Sequence, residues 1–482
     1  MNMSRQAAPD ELLDRMEYQA DPLADATIAA ILGPWDAIAP PSATGTLQSM
    51  HADHWRRLEA VNRVFAQWET NRGIETWRAD ASVPPEVAGP LEAYVRQAQV
   101  LPAWADHAAI DRAEQLFIDH GVLSCTLLFC ASLPECYVVP DLSEVLHQTG
   151  QLERRTEYRI RSTAAMVFPL MMRGGLNAPD GGGLAQVLKV RLIHATVRHL
   201  ILRGSPQEAV AALGSQRKVV GAGVVAPMPA STAAAGDMHH ALFIHGWKLG
   251  EDGLPCSQEE LAYTLLTFGY VFLRGLRTLG VGLERHDEEA YLHAWNVVGH
   301  VLGIERELMA ETMDEAAALF ARMQARGRAQ PIKPDPRPEL GRALMESMAK
   351  IIPLRIAKPF PVLLTRQLCG PATSRDIGLD QHVSWWSRAV FAVCLFVISG
   401  IDRFVRLFVP GFSISRFITR LVGYQLMTRF LMDQTRPLKL PEHVLQRAHG
   451  MMNGWGNDPR APGWLNRLEA RCTRGRDAAM AA

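Results

Sequence analysis

The stretch KVRLIHATVRHLIL, residues 189–202, decides the fold of this chain and is the best guide to its function. Its apolar positions recur at helical spacing and predict a helix with one face in the core. His194 lies mid-helix, with Arg191 three residues before it and Arg198 four residues after it. Positions three and four apart share a helix face, so we expect one stripe holding an imidazole between two guanidinium groups. The apolar positions are Val190, Ile193, Val197, Leu200 and Ile201.

This stripe has two interpretations. An imidazole held on a rigid helix suits an iron ligand, and flanking guanidinium groups suit the carboxylates of a cofactor. The alternative is a core histidine satisfied by a hydrogen bond, with arginines whose heads reach water. A lone histidine among apolar residues is more often of the second kind. The stripe alone therefore leaves both interpretations open.

The composition favours a large folded protein and excludes several functions. The chain has 482 residues, 48% of them hydrophobic, which is enough for a large buried core. Lys and Arg total 50 and so do Asp and Glu, so the chain lacks the basic signature of a nucleic-acid-binding protein. The 7 cysteines form no Cys-x-x-Cys pair, so we predict neither a zinc ribbon nor a c-type haem attachment motif.

Helical periodicity continues through most of the chain, whereas strand-like alternation is nearly absent. The predicted fold class is therefore all-α, a large helical bundle. We expect an N-terminal helical extension over residues 1–100, a core that carries the candidate site over residues 101–330 and a C-terminal helical region over residues 339–482. Glycine, alanine and proline dominate residues 204–241, which predicts a loop or insertion within the core. The proline-rich residues 330–339 predict the boundary to the C-terminal region.

Local signals predict several helix ends. Glycines are expected to end two helices, at Gly121 and Gly204. Ser-x-x-Glu and Thr-x-x-Glu capping boxes predict two helix starts. These are Ser257 with Glu260, and Thr312 with Glu315.

The helix before the stripe carries a second set of polar residues. Arg155, Arg159 and Thr163 are each four apart and therefore lie on one helix face. Arginines that face the protein interior would cost desolvation unless they meet an anion. Haem propionates, a phosphate or acidic side chains would each serve, and the alternative is a solvated helix face.

Taken in order, the segments resemble the MpaB and latex-clearing-protein oxygenase family. The resemblance covers residues 101–303, and its most specific part is Arg-x-x-x-Thr followed in the next helix by RLIHATVR. The other segments are Trp104 after Pro102, LFCASLPECY, LHQTGQLERRTEYRIRST and PCSQEELAYTLLTFGYVFLRGLRTLGV. This family implies a globin-like helical core around a non-covalent b-type haem, and cleavage of carbon–carbon double bonds in isoprenoid chains by O2.

The resemblance also implies roles for individual residues. The axial iron ligand falls on His194, and the arginine and threonine of the preceding helix fall on Arg159 and Thr163. Glu144 lies near the place of a glutamate that acts as a base. With the stripe arginines Arg191 and Arg198 as cofactor-binding residues, these complete the candidate site.

Two departures from the family change the expected substrate. Ser162 stands where the rubber-cleaving members have a lysine able to cap the distal iron position. Those members are secreted, whereas the N-terminus here is acidic where a signal peptide would be apolar. We therefore expect a cytoplasmic haem-b oxygenase whose partners are O2 and a small hydrophobic alkene or isoprenoid. The apolar run at residues 389–401 is shorter than the ~20 residues of a membrane span and is a candidate for peripheral membrane contact.

Two other functions remain open on the sequence. A non-haem di-iron carboxylate oxidase would use Glu144 with His147, and Glu289 with His293, but the ferritin-like site needs two Glu-x-x-His motifs. A helical body with a haem-sized apolar pocket would also suit a non-catalytic haem or hydrophobic-ligand carrier. His286, His293 and His300 recur every seven residues and are interpreted as packing or interface positions. The sequence predicts no oligomeric state.

Overall fold

The computed structural model describes residues 10–33, 52–139, 156–215, 224–225, 247–330, 335–352 and 355–393. The first helices are α1 (Asp10–Met16), α2 (Pro22–Leu32), α3 (Ala52–Gln67), α4 (Pro85–Ala98), α5 (His107–Leu127), α6 (Leu133–Cys136), α7 (Thr156–Met171), α8 (Gly183–Leu202) and α9 (Pro206–Ser215). The later helices are α10 (Leu249–Asp252), α11 (Gln258–Phe268), α12 (Tyr270–Thr278), α13 (Arg285–Val301), α14 (Met313–Ala329), α15 (Arg337–Ile351) and α16 (Phe360–Asp376).

The remaining regular structure is short. A π-helical turn over Leu128–Ser132 joins α5 to α6, and residues 385–393 are helical. Strands β1 (Val224–Val225) and β2 (Trp247–Lys248) form one antiparallel pair in which Val224 lies opposite Lys248. The all-α class predicted from the sequence is confirmed.

One hydrophobic core runs through the described residues. It includes Ile28 of α2, Leu192 of α8, Val298 of α13 and Leu344 of α15, each fully buried. The N-terminal and C-terminal helices therefore share their core with the helices between them. The expected segment boundaries stay a prediction, since one hydrophobic core includes residues from all three segments.

Helix α8 lies at the centre of this core and confirms the predicted helix. It packs against α7 and α2 and buries most of its side chains because its apolar residues surround the axis rather than form a narrow stripe. Its last residue is Leu202, and Arg203 ends the helix in a left-handed conformation with φ 58°. The predicted stop at Gly204 is therefore one residue late.

A helix ends at Gly121 as predicted, and a second helix follows it at a sharp angle within the range of α5. Gly121 has φ 40° and ψ −106° within α5, a conformation that few other residues adopt. The axis turns by 93° between His107–Gly121 and Leu123–Cys136. No single helix in the described part of the chain is long and apolar enough to span a membrane, and this bent pair passes the same test by length and composition only.

The other local signals are mostly confirmed. Thr312 and Glu315 form the reciprocal capping box at the start of α14. The Ser257 hydroxyl accepts a hydrogen bond from the Glu260 amide and caps α11. The region expected to be a loop differs, because α9 occupies the first part of residues 204–241.

Candidate functional site

His194 lies on the one partly open face of α8. The only side chains of α8 that are not buried are those of Val190, Ile193 and His194, and these positions share a helix face. On the neighbouring α7, among the side chains that the structure describes, Thr163 and Met166 are likewise partly exposed and three residues apart. Two central helices thus each carry a small, mostly apolar face that packing leaves incomplete.

The His194 ring is neutral at neutral pH. Burial lowers the pKa of His194 to about 4, and the nearby positive charge of Arg198 lowers it further, against an opposing effect of Asp21. Its Nδ1 atom is buried and makes no hydrogen bond to the described residues. The imidazole therefore has a nitrogen that no described protein group uses.

Arg198 is not placed as a partner for a cofactor. Its side chain is fully buried, and both Nε and Nη2 donate to Asp25 Oδ1 on α2, at 2.9 and 2.7 Å. Its Nη1 donates to the Cys256 carbonyl at 2.7 Å. A carboxylate of the protein therefore takes the place that the sequence assigned to a cofactor carboxylate, and this corrects the expected role.

Arg191 needs the same correction. Its Nε and Nη2 donate to the two carboxylate oxygens of Asp21, the second at 2.7 Å, and its Nη1 donates to the Val301 carbonyl at 3.0 Å. Both Arg191 and Asp21 are buried, so the arginine does not reach water either. Each arginine of the predicted stripe thus forms a buried ion pair, Arg191 with Asp21 at the N-cap of α2 and Arg198 with Asp25 in α2.

The other predicted site residues are placed only in part. Thr163 lies on the partly exposed face of α7, and Arg159 lies one turn earlier in the same helix. The side chains of Arg159 and Ser162, and all of Glu144 and His147, lie outside the residues described.

Two of the three histidines that recur every seven residues, His293 and His300, pack against one tryptophan. The Trp104 ring meets the rings of His293 and His300 edge to face, with centroids 5.6 and 6.0 Å apart. His293 Nε2 accepts a hydrogen bond from the Asp106 amide at 2.8 Å, and Glu289 pairs with Arg285 at 2.7 Å. Within the described ranges no group of His, Cys, Asp or Glu side chains forms a metal-binding cluster.

The sequence prediction missed Asp21 and Asp25. Both carboxylates lie on α2 or at its N-terminus, one helical turn apart in the otherwise apolar segment DPLADATIAAIL. Two acidic residues on one face of an apolar helix indicate buried cationic partners, because an unpaired buried carboxylate is costly. That signal was present in the sequence, although it does not say which arginines are the partners.

The fold and the partly open face around His194 define an all-α protein with a candidate ligand-binding face on its central helix. Comparisons with known proteins show which proteins the chain resembles. Residues 223–400 match the family described as ER-bound oxygenase mpaB/B'/Rubber oxygenase, catalytic domain. The chain is 28% identical over 264 residues to the rubber oxygenase of Streptomyces sp. (strain K30), a match covering 54% of this chain and 52% of that protein. It therefore spans about half the length of this relative.

A solved structure supports the fold. The structure of latex clearing protein in its closed state matches with a TM-score of 0.55 and 22% identity, over 80% of this chain and 85% of that one. The comparisons confirm the predicted resemblance to the MpaB and latex-clearing-protein family. The residues matched by the family begin after α8, so they do not include His194.

Proposed function

We propose that this protein is a haem-b-dependent oxygenase that cleaves a carbon–carbon double bond of a small hydrophobic, isoprenoid-like substrate with O2. The proposal rests on one observation above all: the neutral His194 ring lies on the partly open face of α8, and its buried Nδ1 atom makes no hydrogen bond to a described residue. Similarity to a rubber oxygenase supports oxidative chemistry on an unsaturated hydrocarbon.

The residues present fit a haem. A neutral imidazole is the form of histidine that binds iron, and burial keeps the His194 ring in that form. Val190, Ile193 and Met166 offer apolar surface suited to a flat macrocycle. His194 would hold the iron, with Thr163 and Arg159 as the proposed contacts from α7. When bound, haem supplies the iron chemistry that activates O2.

The chain's own residues would bind and orient the substrate. The apolar faces of α7 and α8 would hold an alkene by burying its surface and would exclude water from the site. Glu144 is the proposed base. Ser162, in place of the family's lysine, leaves a shorter and uncharged side chain at that position, which supports a substrate other than rubber.

The test is a haem titration of the purified full chain, followed by its visible spectrum. The wild-type protein is expected to bind one haem with a strong Soret band, and His194→Gln is expected to lose the band or bind haem far more weakly. His199→Gln is the matched control, because His199 lies on α8 but points its Nε2 atom at the Gly33 carbonyl, 2.9 Å away.

Three outcomes would contradict parts of this proposal. An unchanged Soret band and affinity in His194→Gln would remove the ligand assignment. Bound iron without a Soret band would favour the di-iron alternative. Haem binding without O2 uptake in the presence of short isoprenoid alkenes would favour the non-catalytic carrier.

We also propose that the protein binds membrane surfaces peripherally. Trp385 and Trp386 are 60% and 59% exposed, and their rings stack 3.7 Å apart. Ile356, Lys358 and Arg388 are exposed as well, and the T-shaped contact of Phe360 with Phe391 brings their two segments together. Tryptophans beside cationic residues favour the headgroup region of a bilayer. The cytoplasmic location stays a prediction.

A further inference from the structure

Two buried ion pairs bracket His194 along α8. Asp21 pairs with Arg191 three residues before the histidine, and Asp25 pairs with Arg198 four residues after it. The side chains of these four residues are all buried, with Asp25 and Arg198 inaccessible to solvent. Both carboxylates belong to α2 or its N-cap, which lies outside residues 101–303 where the family resemblance was found.

Each arginine also contacts a third element. Arg198 donates to the carbonyl of Cys256, the residue before the cap of α11, and Cys256 takes a left-handed backbone conformation with φ 54°. Arg191 donates to the carbonyl of Val301 at the end of α13. The two pairs therefore fix α8 in rotation and in register against α2, α11 and α13, one on each side of His194.

The Asp21 pair is closely packed. Gly303 follows α13 with φ 83°, and a Cβ atom there would lie 2.6 Å from Asp21 Oδ2 and 2.8 Å from Arg191 Nη2. Asp21 is also the N-cap of α2, where its Oδ1 atom accepts hydrogen bonds from the amides of Leu23 and Ala24. A single carboxylate thus begins α2 and holds the arginine beside His194.

Charge neutralisation follows from the same contacts. Two guanidinium groups one turn away from an imidazole in a desolvated interior would leave a strong positive potential at the ring. The carboxylates of Asp21 and Asp25 oppose that potential where it arises, and Asp21 acts on the His194 ring directly. Removing one carboxylate would leave its arginine uncompensated beside the ring.

We infer that Asp21 and Asp25 are positioning residues for His194, which set the orientation of its helix through Arg191 and Arg198 and neutralise the charge beside it. This inference rests on the proposed function, in which His194 holds the haem iron. Groups that orient a metal ligand through one intermediate typically change metal affinity by 10- to 100-fold when removed. Loss of a negative charge near an iron also favours the reduced state, and so raises the midpoint potential.

Asp21→Asn is the sharpest test. Asparagine caps helices as well as aspartate does, so this variant keeps the N-cap of α2 while it removes the charge and the oxygen that accepts from Arg191 Nε. Haem dissociation constants and midpoint potentials are measured on the full chain loaded with haem. Glu288→Gln is the matched control, because Glu288 is a buried carboxylate of α13 that accepts hydrogen bonds from Nε and Nη2 of Arg277 on α12 rather than from an arginine of α8.

The expected result is that Asp21→Asn weakens haem binding by about 10-fold or more and raises the midpoint potential, while Glu288→Gln changes neither. Asp25→Asn is expected to act in the same direction. Asp21→Glu keeps the charge but not the geometry, so its midpoint potential should stay near that of the wild type while haem binding weakens.

The outcomes separate this inference from the proposed function. Wild-type affinity and potential in Asp21→Asn, or equal changes in Asp21→Asn and Glu288→Gln, would overturn the positioning role while His194→Gln still loses haem. A wild-type protein that binds no haem would overturn both. If Asp21→Asn does not fold by circular dichroism, Asp21→Glu decides, because wild-type haem affinity in that variant overturns the inference.

Discussion

Glu114 is a buried carboxylate that the fold keeps between α5 and the turn after α7. Its Oε2 atom accepts a hydrogen bond from the Gly174 amide at 2.6 Å, and its side chain is 1% exposed. Burial raises the pKa of Glu114 to about 7, against the lowering effect of amides in residues 174–176. The protonated form is therefore the one that the folded protein favours.

This raised pKa predicts a pH-dependent stability. The contribution of Glu114 to the stability of the folded state is fully present below pH 4.5 and is lost as the pH rises through about 7. The reason is that the carboxyl group ionises more readily in the unfolded chain than in the folded protein, so rising pH favours the unfolded state. The difference is on the order of 3 kcal/mol in the free energy of unfolding. Denaturant unfolding of wild type and Glu114→Gln at several pH values measures it. A constant difference between the two proteins across this range would contradict the prediction.

At the scale of elements, the contact between α7 and α8 depends on Gly183. A Cβ atom at Gly183 would lie 2.7 Å from the Gly175 carbonyl oxygen and 2.7 Å from the Leu170 Cα atom. Both are backbone atoms, which cannot move aside for an added methyl group as the end of a flexible side chain could. The first turn of α8 can therefore approach α7 this closely only with glycine.

Gly183→Ala is expected to destabilise the protein by about 1–3 kcal/mol and to weaken haem binding, because α8 must move relative to α7. Gly282→Ala is the control. Gly282 is an exposed residue between α12 and α13 with nothing within 4 Å of the added Cβ atom, so alanine should change the free energy of unfolding by less than about 0.5 kcal/mol. Thermal unfolding and haem titration of both variants check this. Equal effects of the two substitutions would contradict the expected contact.

The helices themselves were largely predictable from the sequence, because their periodicity and caps are local. The helix with His194 and the capping box of Thr312 are examples. The partners of Arg191 and Arg198 were not predictable, since Asp21 and Arg191 lie 170 residues apart. A guanidinium group beside a histidine suits a cofactor carboxylate and a protein carboxylate equally well, and only the tertiary structure distinguishes them.

At the scale of the whole molecule, one buried carboxylate ties the C-terminal helices to the core. Glu135 of α6 accepts hydrogen bonds from Gln324 at 2.8 Å and from Thr373 at 3.0 Å, and pairs with Arg274. These partners lie on α14, α16 and α12. The sequence predicted a segment boundary at residues 330–339, and α16, which lies beyond this boundary, still contacts Glu135. A proline-rich composition does not reveal long-range polar contacts of this kind.

The exposed tryptophans give the whole molecule a predicted membrane-facing side. Replacing Trp385 and Trp386 by serine should reduce co-sedimentation with vesicles of mixed neutral and anionic phospholipid by about 10-fold, because both rings would no longer enter the headgroup region. Val100→Ser, which removes another exposed apolar side chain far from this patch in the sequence, is the control and should leave binding unchanged. Equal binding of the tryptophan variant and wild type would remove the membrane proposal.

Every proposed role of the site depends on His194 holding an iron porphyrin. The most direct measurement is the visible spectrum of the full chain titrated with haem, recorded side by side for wild type, His194→Gln and His199→Gln. We predict a saturable Soret band in wild type and His199→Gln and its loss in His194→Gln. A band of equal position and affinity in all three proteins would contradict the central assignment.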